Sequence, residues 1–571
     1  MTQWFYEKNN ELLGSPVNKT FEELLWMSKA DFRQWVIDMR KEVVRLWDEK
    51  GQPPRVGYNK NEIIEQFNKL QPFIVEDDGK QPKGVAGFLT WDEYTGDRNI
   101  IRNTSNLGNA VNQFFPTMMK TRINYTKDPS AGKSIYDFFS KPELLDTFVT
   151  YASRHFKRDS FYHYSVPIKT SDIGRYGELP VASTGIEWIH AFESGRYRER
   201  TNWDYWLAPR EIESEYTGYN EDLKGQSYIR LTHDELNKSI DLIPEKCKTN
   251  VRALKDNESY LIRVFERGQK VFPIGLKAFR VSFCQYAVNF PPLTAKFIYE
   301  RYTREWKDES MIYVWDPSSG WGGRLLGALC VDDRLKLTYL GNDPNTDHNI
   351  GQGRTKYHAI YDFYREHVNK DGGMMHLAGW NLSHNGFVFW QKGSEEMQWD
   401  LEFQRYKGKL SLVFTSPPYF AKEAYSEDKE QSYKKFSQYD LWRDGFLKET
   451  LKTAVEWLRP GGYLAWNIAD ADFGGETLPL EEDSNKILID AGMEYFETMK
   501  MSLAQMPGGN RLDTVTGLPK AKNFCKVDGL WLKFEPIFIY RKPGKTGTRR
   551  LNITKPESTQ AENYPDGKLD F

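Results

Sequence analysis

The chain has 571 residues, 78 basic against 80 acidic, a formal net charge of −2, and 15% aromatic residues that include 18 Trp. That length is too great for one hydrophobic core and implies two or three domains, while the near-neutral balance excludes a globally basic nucleic-acid binder and leaves any such contact to local patches. The four cysteines, Cys247, Cys284, Cys330 and Cys525, are scattered without a C-x-x-C pair, which argues against a disulfide scaffold or a cysteine zinc site. No apolar run approaches a membrane span and the N-terminus does not read as a signal peptide. The expectation is a soluble cytoplasmic protein with no membrane partner and no metal.

Residues 1 to about 60 read as helical. Ser28 with Asp31 forms a capping box, and Phe32, Trp35, Val36, Met39, Val43 and Leu46 follow at helical spacing until Gly51 and Pro53-Pro54 stop the run. A second helix is expected from about Asn61 to Leu70. Residues 75 to 270 carry no motif, but basic residues alternate with aromatics, as in Arg154-His155-Phe156-Lys157-Arg158 and Arg196-Tyr197-Arg198-Glu199-Arg200. Such interleaving suits a surface for unstacked bases, and a solvated face equally well. Ala131-Gly132-Lys133-Ser134 mimics the tail of a phosphate loop, but Lys127 stands where the first glycine is required. Thr232 with Glu235 marks a helix start, and Ser259 to Glu266 reads as a strand.

From Phe272 the pattern changes to alternating strands and helices. Asn289-Phe290-Pro291-Pro292 leads into a helix from Leu293 to Tyr302, and Met311 to Trp315 reads as a buried strand. It ends in Asp316-Pro317-Ser318-Ser319-Gly320-Trp321-Gly322-Gly323, followed by a helix from Arg324 to Cys330. A strand, a glycine turn and a helix make a nucleotide-binding unit, because glycines let the backbone approach the ligand. Leu337 to Gly341 is the next strand, and Asp343 behind it is placed to accept ribose hydroxyls. A helix containing Tyr357, Ile360 and Tyr364 follows, then a strand at Phe387 to Trp390.

Leu410 to Phe414 is a short apolar run that Thr415-Ser416-Pro417-Pro418-Tyr419 ends at once, since neither proline can donate to a ladder. A serine, two rigid carbonyls and a tyrosine ring therefore stand at the carboxyl end of a central strand, where open α/β sheets bind ligands. An exocyclic base amine is a poor nucleophile, and a hydroxyl and a proline carbonyl can accept its hydrogens. The tyrosine face can stack on an extruded base. The polar stretch Ala421 to Tyr439 has the length of a mobile flap. A helix from Leu441 to Leu458, Arg459-Pro460-Gly461-Gly462 and strands at Tyr463 to Ile468, Glu494 to Met501 and Ile537 to Tyr540 complete the pattern. Beyond Tyr540 a basic tail is expected to be disordered and to touch phosphates.

Thr415 to Tyr419 resembles motif IV of the S-adenosylmethionine-dependent DNA amino-methyltransferases. Asp316 to Gly323 resembles their motif I, departing from it at Ser318, where an aromatic is usual, and Phe290-Pro291-Pro292 looks like their motif X. The resemblance covers about Phe272 to Lys542. It implies a doubly wound, Rossmann-like α/β sheet over 271–542, with an N-terminal α+β domain over 1–270 as the candidate DNA target-recognition region and a basic tail over 543–571. It further implies S-adenosylmethionine as cofactor, held by Phe290, Asp316, Ser318, Gly320, Gly322 and Asp343, and a catalytic set of Ser416, Pro417, Pro418 and Tyr419. The expected partner is double-stranded DNA with a flipped target base, and a cognate restriction nuclease is possible. Serine at the first motif IV position favours N4 of cytosine. N6 of adenine, or a non-catalytic DNA-binding specificity protein that retains the fold, are the alternatives. No cysteine follows a proline, so the Pro-Cys nucleophile of cytosine-C5 methylation is missing.

Overall fold

The computed structural model describes residues 11–152, 270–272 and 288–544, except 21–22, 25–26, 55–56, 71–87, 104–105, 125–130, 332–334, 369–385, 474, 504–512, 514–515 and 520–521; between 153 and 269 it describes only short paired strands. The basic-aromatic runs at 154–158 and 196–200, the helix start at Thr232 and the tail from 545 lie outside the described residues. Ser259–Ile262 is a strand, paired with Ala253–Asp256 and with Ile168–Lys169.

One large sheet organises the chain. Its strands are β1 (Leu89–Thr90), β2 (Ile100–Ile101), β3 (Ile312–Asp316), β4 (Leu337–Asn342), β5 (Gly386–Trp390), β6 (Leu410–Thr415), β7 (Leu458–Asn467), β8 (Glu494–Ser502), β9 (Phe524–Val527) and β10 (Leu530–Arg541). Their order is β1-β2-β8-β10-β7-β6-β3-β4-β5, with β9 pairing the start of β10. From β5 to β7 every pairing is parallel. β10 enters antiparallel between β7 and β8. The order reverses between β3 and β6, and the crevice opens at that switch point.

The apolar runs became strands because both faces are covered. Every residue of β4 and of β6 is buried. Along β6, Leu412 and Phe414 join one core with the helices α5 (Pro292–Thr303), α6 (Gly323–Leu329) and α7 (Lys356–His367). Leu410 and Val413 join the opposite core with α8 (Lys448–Trp457) and α9 (Leu480–Asp490). From Leu412 to Phe414 the sides alternate with the period of two that a strand imposes, and the register shift between Leu410 and Leu412 puts Leu410 on the side of Val413. The helix expected from Leu441 is broken: Tyr439–Trp442 is α-helical, Arg443–Leu447 is a π turn, and α8 follows. Arg459 to Gly462 lies inside β7 as a bulge, since Leu410 pairs with Leu458 but Leu412 with Tyr463.

Towards the N-terminus, α1 (Lys29–Lys50) begins where Ser28 accepts the Asp31 amide and ends at Gly51, φ 63°. Its six expected apolar residues are all buried, against α3 (Ile135–Ser140) and α4 (Leu145–Ala152). Ser134, at the end of the false phosphate loop, caps α3 in a box with Asp137. The helix α2 (Lys60–Leu70) behaves differently. Its Ile63, Phe67 and Leu70 enter the core of the large sheet, together with Phe88, Ile101, Val111 and Phe115. The boundary expected at 270/271 is thus crossed by packing. β1 and β2 extend the same sheet, β2 lying parallel to β8. An edge strand leaves unpaired backbone groups that any later segment can satisfy, which the hydrophobic pattern of β8 alone does not reveal.

Asp92, fully buried, clamps this addition. It accepts Lys500 Nζ and the amides of Tyr94 and Lys526. An Asp92→Ala protein leaves the partly buried Lys500 ammonium without its counter-charge, and should lose about 2–3 kcal/mol of stability in denaturant titration. The double variant with Lys500→Met should recover part of that loss.

Candidate active site

The carboxylate of Asp316 closes β3. Its Oδ1 accepts Thr415 Oγ1 (2.7 Å) and the Ser318 amide (3.3 Å); its Oδ2 accepts Arg324 Nε (2.9 Å) and the Tyr339 hydroxyl (2.7 Å). Those four donors use the acceptor capacity of a carboxylate. Burial works against the charge of Arg324, and Asp316 beside it more than restores it. Arg324 also donates to the Ser318 carbonyl, and its guanidinium lies 5.7 Å from the centre of the Phe290 ring.

Above this network runs the glycine turn, with Gly320 at φ 56° and Gly322 at φ 74°. The Gly320 amide donates to Asp343 Oδ2 (3.0 Å), and the Asn345 amide donates to Asp343 Oδ1 (3.0 Å). Burial pushes the Asp343 carboxyl up to about 6. The Tyr357 hydroxyl donates to the Gly320 carbonyl (2.5 Å) and lies 3.0 Å from Nδ1 of His348, whose burial favours the neutral ring. A Cβ on Gly323 would stand 2.0 Å from the Phe290 carbonyl oxygen. The Phe290 segment therefore lies directly against the N-terminus of α6. Asn289 stitches the two together: its Oδ1 accepts the Gly323 amide (3.1 Å), and its Nδ2 donates to Trp321 O (3.0 Å) and to Asn112 Oδ1 (2.7 Å).

At the end of β6 the Ser416-Pro417-Pro418-Tyr419 turn closes with Phe420 at φ 50°, a region an aromatic residue seldom adopts. The Phe420 ring holds the turn there, packed against Tyr439, Trp442 and Phe473. The Tyr419 hydroxyl donates to Glu535 Oε1 (2.5 Å) and accepts the Ala469 amide (3.2 Å). Anchored at its tip, the ring has a set orientation. Burial and Glu535 both push its phenol well above the usual range.

One cavity of about 680 Å³ brings these parts together. Phe290, Ser318, Gly320 and Asp343 line it together with Ser416, Pro417, Pro418 and Tyr419. Two of the expected site residues are not on its wall. Asp316 lies beneath the turn with its oxygens taken by protein donors, so it shapes the turn instead of contacting a ligand. Gly322 faces away, where a Cβ would meet Ile360 and Phe115 at 2.7 and 2.9 Å. Trp321 of the glycine turn and Glu423 and Tyr425 of the expected flap also line the cavity, and Asn112 and Glu535 escaped sequence reading altogether. Nothing local marks those two; they arrive from the N-terminal segment and the last strand. The 421–439 stretch, expected as a mobile flap, is tied down. Glu423–Ala424 pairs antiparallel with Arg122–Ile123, Lys435 bonds Glu395 and Glu396, and Thr346 Oγ1 donates to Asp428.

Residues 410–568 match the DNA methylase family, N6_N4_Mtase. The matched segment begins at the first residue of β6, so it contains the Ser416 turn and Glu535; the Asp316–Gly323 turn lies before it. The expected resemblance to DNA amino-methyltransferases is borne out over this segment. No curated protein matches the chain. Among solved structures, a Thermus thermophilus protein assigned provisionally as a DNA modification methylase is 19% identical, over 28% of this chain and 54% of its own, with a TM-score of 0.18. Its complex with S-adenosyl-L-methionine is 23% identical, over 30% and 59%, with a TM-score of 0.18. A Methanosarcina mazei S-adenosylmethionine-dependent methyltransferase is 13% identical, over 43% and 98%, with a TM-score of 0.22. The chain thus spans little more than half the length of the Thermus protein. Among the described residues, no helix is long and apolar enough to cross a membrane.

The contact between Gly323 and Phe290 is the most sensitive joint in this wall. Gly323→Ala should cost about 1–3 kcal/mol, the scale of overpacking against backbone that cannot yield. Chemical denaturation measures it; an unchanged midpoint would show that the Phe290 segment moves freely.

Proposed function

We propose that this chain methylates DNA, moving a methyl group from S-adenosylmethionine to an exocyclic base amine, with N4 of cytosine favoured. The observation that carries this reading is the single cavity that Asp343 and Gly320 share with Ser416 and Tyr419. The family match over 410–568 supports the reaction class, and the volume lies in the range of ligand sites.

The residues around the glycine turn fit the cofactor. The backbone-supported Asp343 carboxylate offers acceptors for ribose hydroxyls, and the Gly320 turn lets the main chain come close. Phe290, held between Arg324 and the Phe414 ring at 5.2 Å, gives an apolar face. S-adenosylmethionine supplies a methyl group already activated on a sulfonium, so the reaction calls for no metal. Ser416 and the Pro417 carbonyl orient the amine, and Tyr419, its hydroxyl fixed by Glu535 and Ala469, stacks on the base. Ser416 is half-buried in a concave wall, which a base inside a duplex does not reach; the target base must leave the stack. The N-terminal part supplies the DNA-recognition surface in this reading.

DNA from cells expressing the chain, digested to nucleosides and analysed by mass spectrometry, should contain N4-methylcytosine that is absent with Ser416→Ala. N6-methyladenine in its place would keep the reaction and change the base. Neither base in several DNA contexts would reject the reading. The raised Asp343 carboxyl gives a second expectation. Ribose hydroxyls donate to its ionised form, so calorimetric affinity for S-adenosylhomocysteine should fall as pH drops through about 6 and be flat above it. Asp343→Asn should bind weakly at all pH values; a pH-independent wild-type affinity removes the ribose role.

A further inference from the structure

Beyond the Ser416 turn the cavity wall carries two carboxylates that the reaction described so far does not use. Glu423 lies four residues past Tyr419 in the stretch paired with Arg122–Ile123, and Glu535 lies on β10. Tyr425 donates to Glu423 Oε2, and Tyr419 donates to Glu535 Oε1 at 2.5 Å. Glu423 Oε1 and Glu535 Oε2 have no hydrogen-bond partner among the described residues, and neither side chain has a salt bridge there. Lys422 acts on Glu423 and Lys533 on Glu535 through charge alone, neither at salt-bridge distance: Lys422 donates to the Asp472 carbonyl and Lys533 is exposed, while Arg122 is held by Asp137 and Glu427. The remaining titratable groups facing them are Tyr419 and Tyr425, whose phenols burial keeps protonated. A carboxylate at a partly buried wall with one oxygen unmet and no salt bridge is costly unless a ligand meets it.

The chemistry of a serine-type site creates that need. As the amine lone pair forms the N–CH3 bond, the C–S pair stays with sulfur and the sulfonium becomes a neutral thioether. The nitrogen then bears the positive charge and must release one proton. A serine hydroxyl is far too weak a base to take it, and a proline carbonyl is weaker still.

Resting on the methylation reading, we propose that Glu535 and Glu423 form the proton-accepting end of the site: one of the two carboxylates takes the proton of the methylated amine, and their shared charge stabilises the cation as it forms. Burial raises both carboxyls above the usual range, and the Glu535 charge raises Glu423 further, which brings them nearer to the proton they must hold. Tyr419 joins the two functions, because the hydroxyl that fixes its stacking ring also holds Glu535 in place. The base that a Ser-Pro-Pro-Tyr turn lacks is supplied here from the last strand.

The test compares single-turnover methyl transfer to DNA, from pH 5 upward in about unit steps across the carboxylate and histidine range, for the wild type, Glu535→Gln, Glu423→Gln and the double variant. The Gln side chains keep size and shape but cannot take a proton. The double variant should lose about 10²-fold or more in rate, and the rise of rate with pH should vanish, while calorimetric affinity for S-adenosylhomocysteine stays at the wild-type value. Glu535→Asp should regain part of the rate and the pH dependence, which a purely structural role would not give. A double variant with the wild-type rate and pH profile overturns the proposal and leaves the methylation reading intact. Loss of S-adenosylhomocysteine binding in the double variant also overturns it, by showing that the carboxylates hold the fold. A wild-type chain that transfers no methyl group to any DNA sinks the methylation reading, and this role with it.

Discussion

Everything at the carboxyl edge of the sheet depends on one buried carboxylate. Asp316 gathers Thr415 from β6, Tyr339 from β4, Arg324 from α6 and the amide of Ser318. A charge this deep is tolerable only when fully paired and hydrogen-bonded, and the pairing dictates geometry. It sets the height of β6 relative to β3, and hence where Ser416 emerges. It also anchors α6, whose first turn faces the Phe290 segment. The residue most easily taken for a ligand contact is the one that the cavity rests upon.

The second constraint is contact without side chains. Gly323 lies so close to the Phe290 carbonyl that no Cβ fits, and Asn289 spans the joint by bonding α6, Trp321 and Asn112. Through Asn112 the N-terminal segment becomes part of the wall. Its apolar residues, from Ile63 to Phe115, share the core of the sheet, and Asp92 pins its strands to β8. The carboxyl edge of the sheet is therefore not an independent unit to which an N-terminal half is appended; the cavity is built by both.

The electrostatics follow from how these parts are paired. The cations near the cavity are spoken for, Arg324 by Asp316 and Lys435 by Glu395, Glu396 and Glu430. Asp343, Glu423 and Glu535 line the wall without salt-bridging Lys or Arg partners among the described residues. Such a wall favours a cationic ligand and repels phosphate.

The local elements of this protein were legible in its residue order. α1 and its capping by Ser28, the strands from β3 to β7, the glycine turn and the abrupt end of β6 at Pro417 all follow from periodicity, turn chemistry and burial, which act over a few residues. So did the two parts of the site, since Gly320 with Asp343 and Ser416 with Tyr419 are short motifs at strand ends. What the sequence could not show is anything decided by pairs far apart in the chain. Asp316 reads the same whether its oxygens face a ligand or four protein donors. Arg122 pairs with Asp137 and with Glu427, and Tyr419 finds Glu535, 116 residues away. β1 and β2 are too short to announce themselves, and they exist because β8 leaves an unpaired edge. Sequence alone determined which segments become strands and where the abrupt turns end them, because those properties are local. Only the tertiary structure decided which carboxylates are spent inside the fold and which remain free to face a ligand, because that depends on which donors the folded chain brings within hydrogen-bond reach.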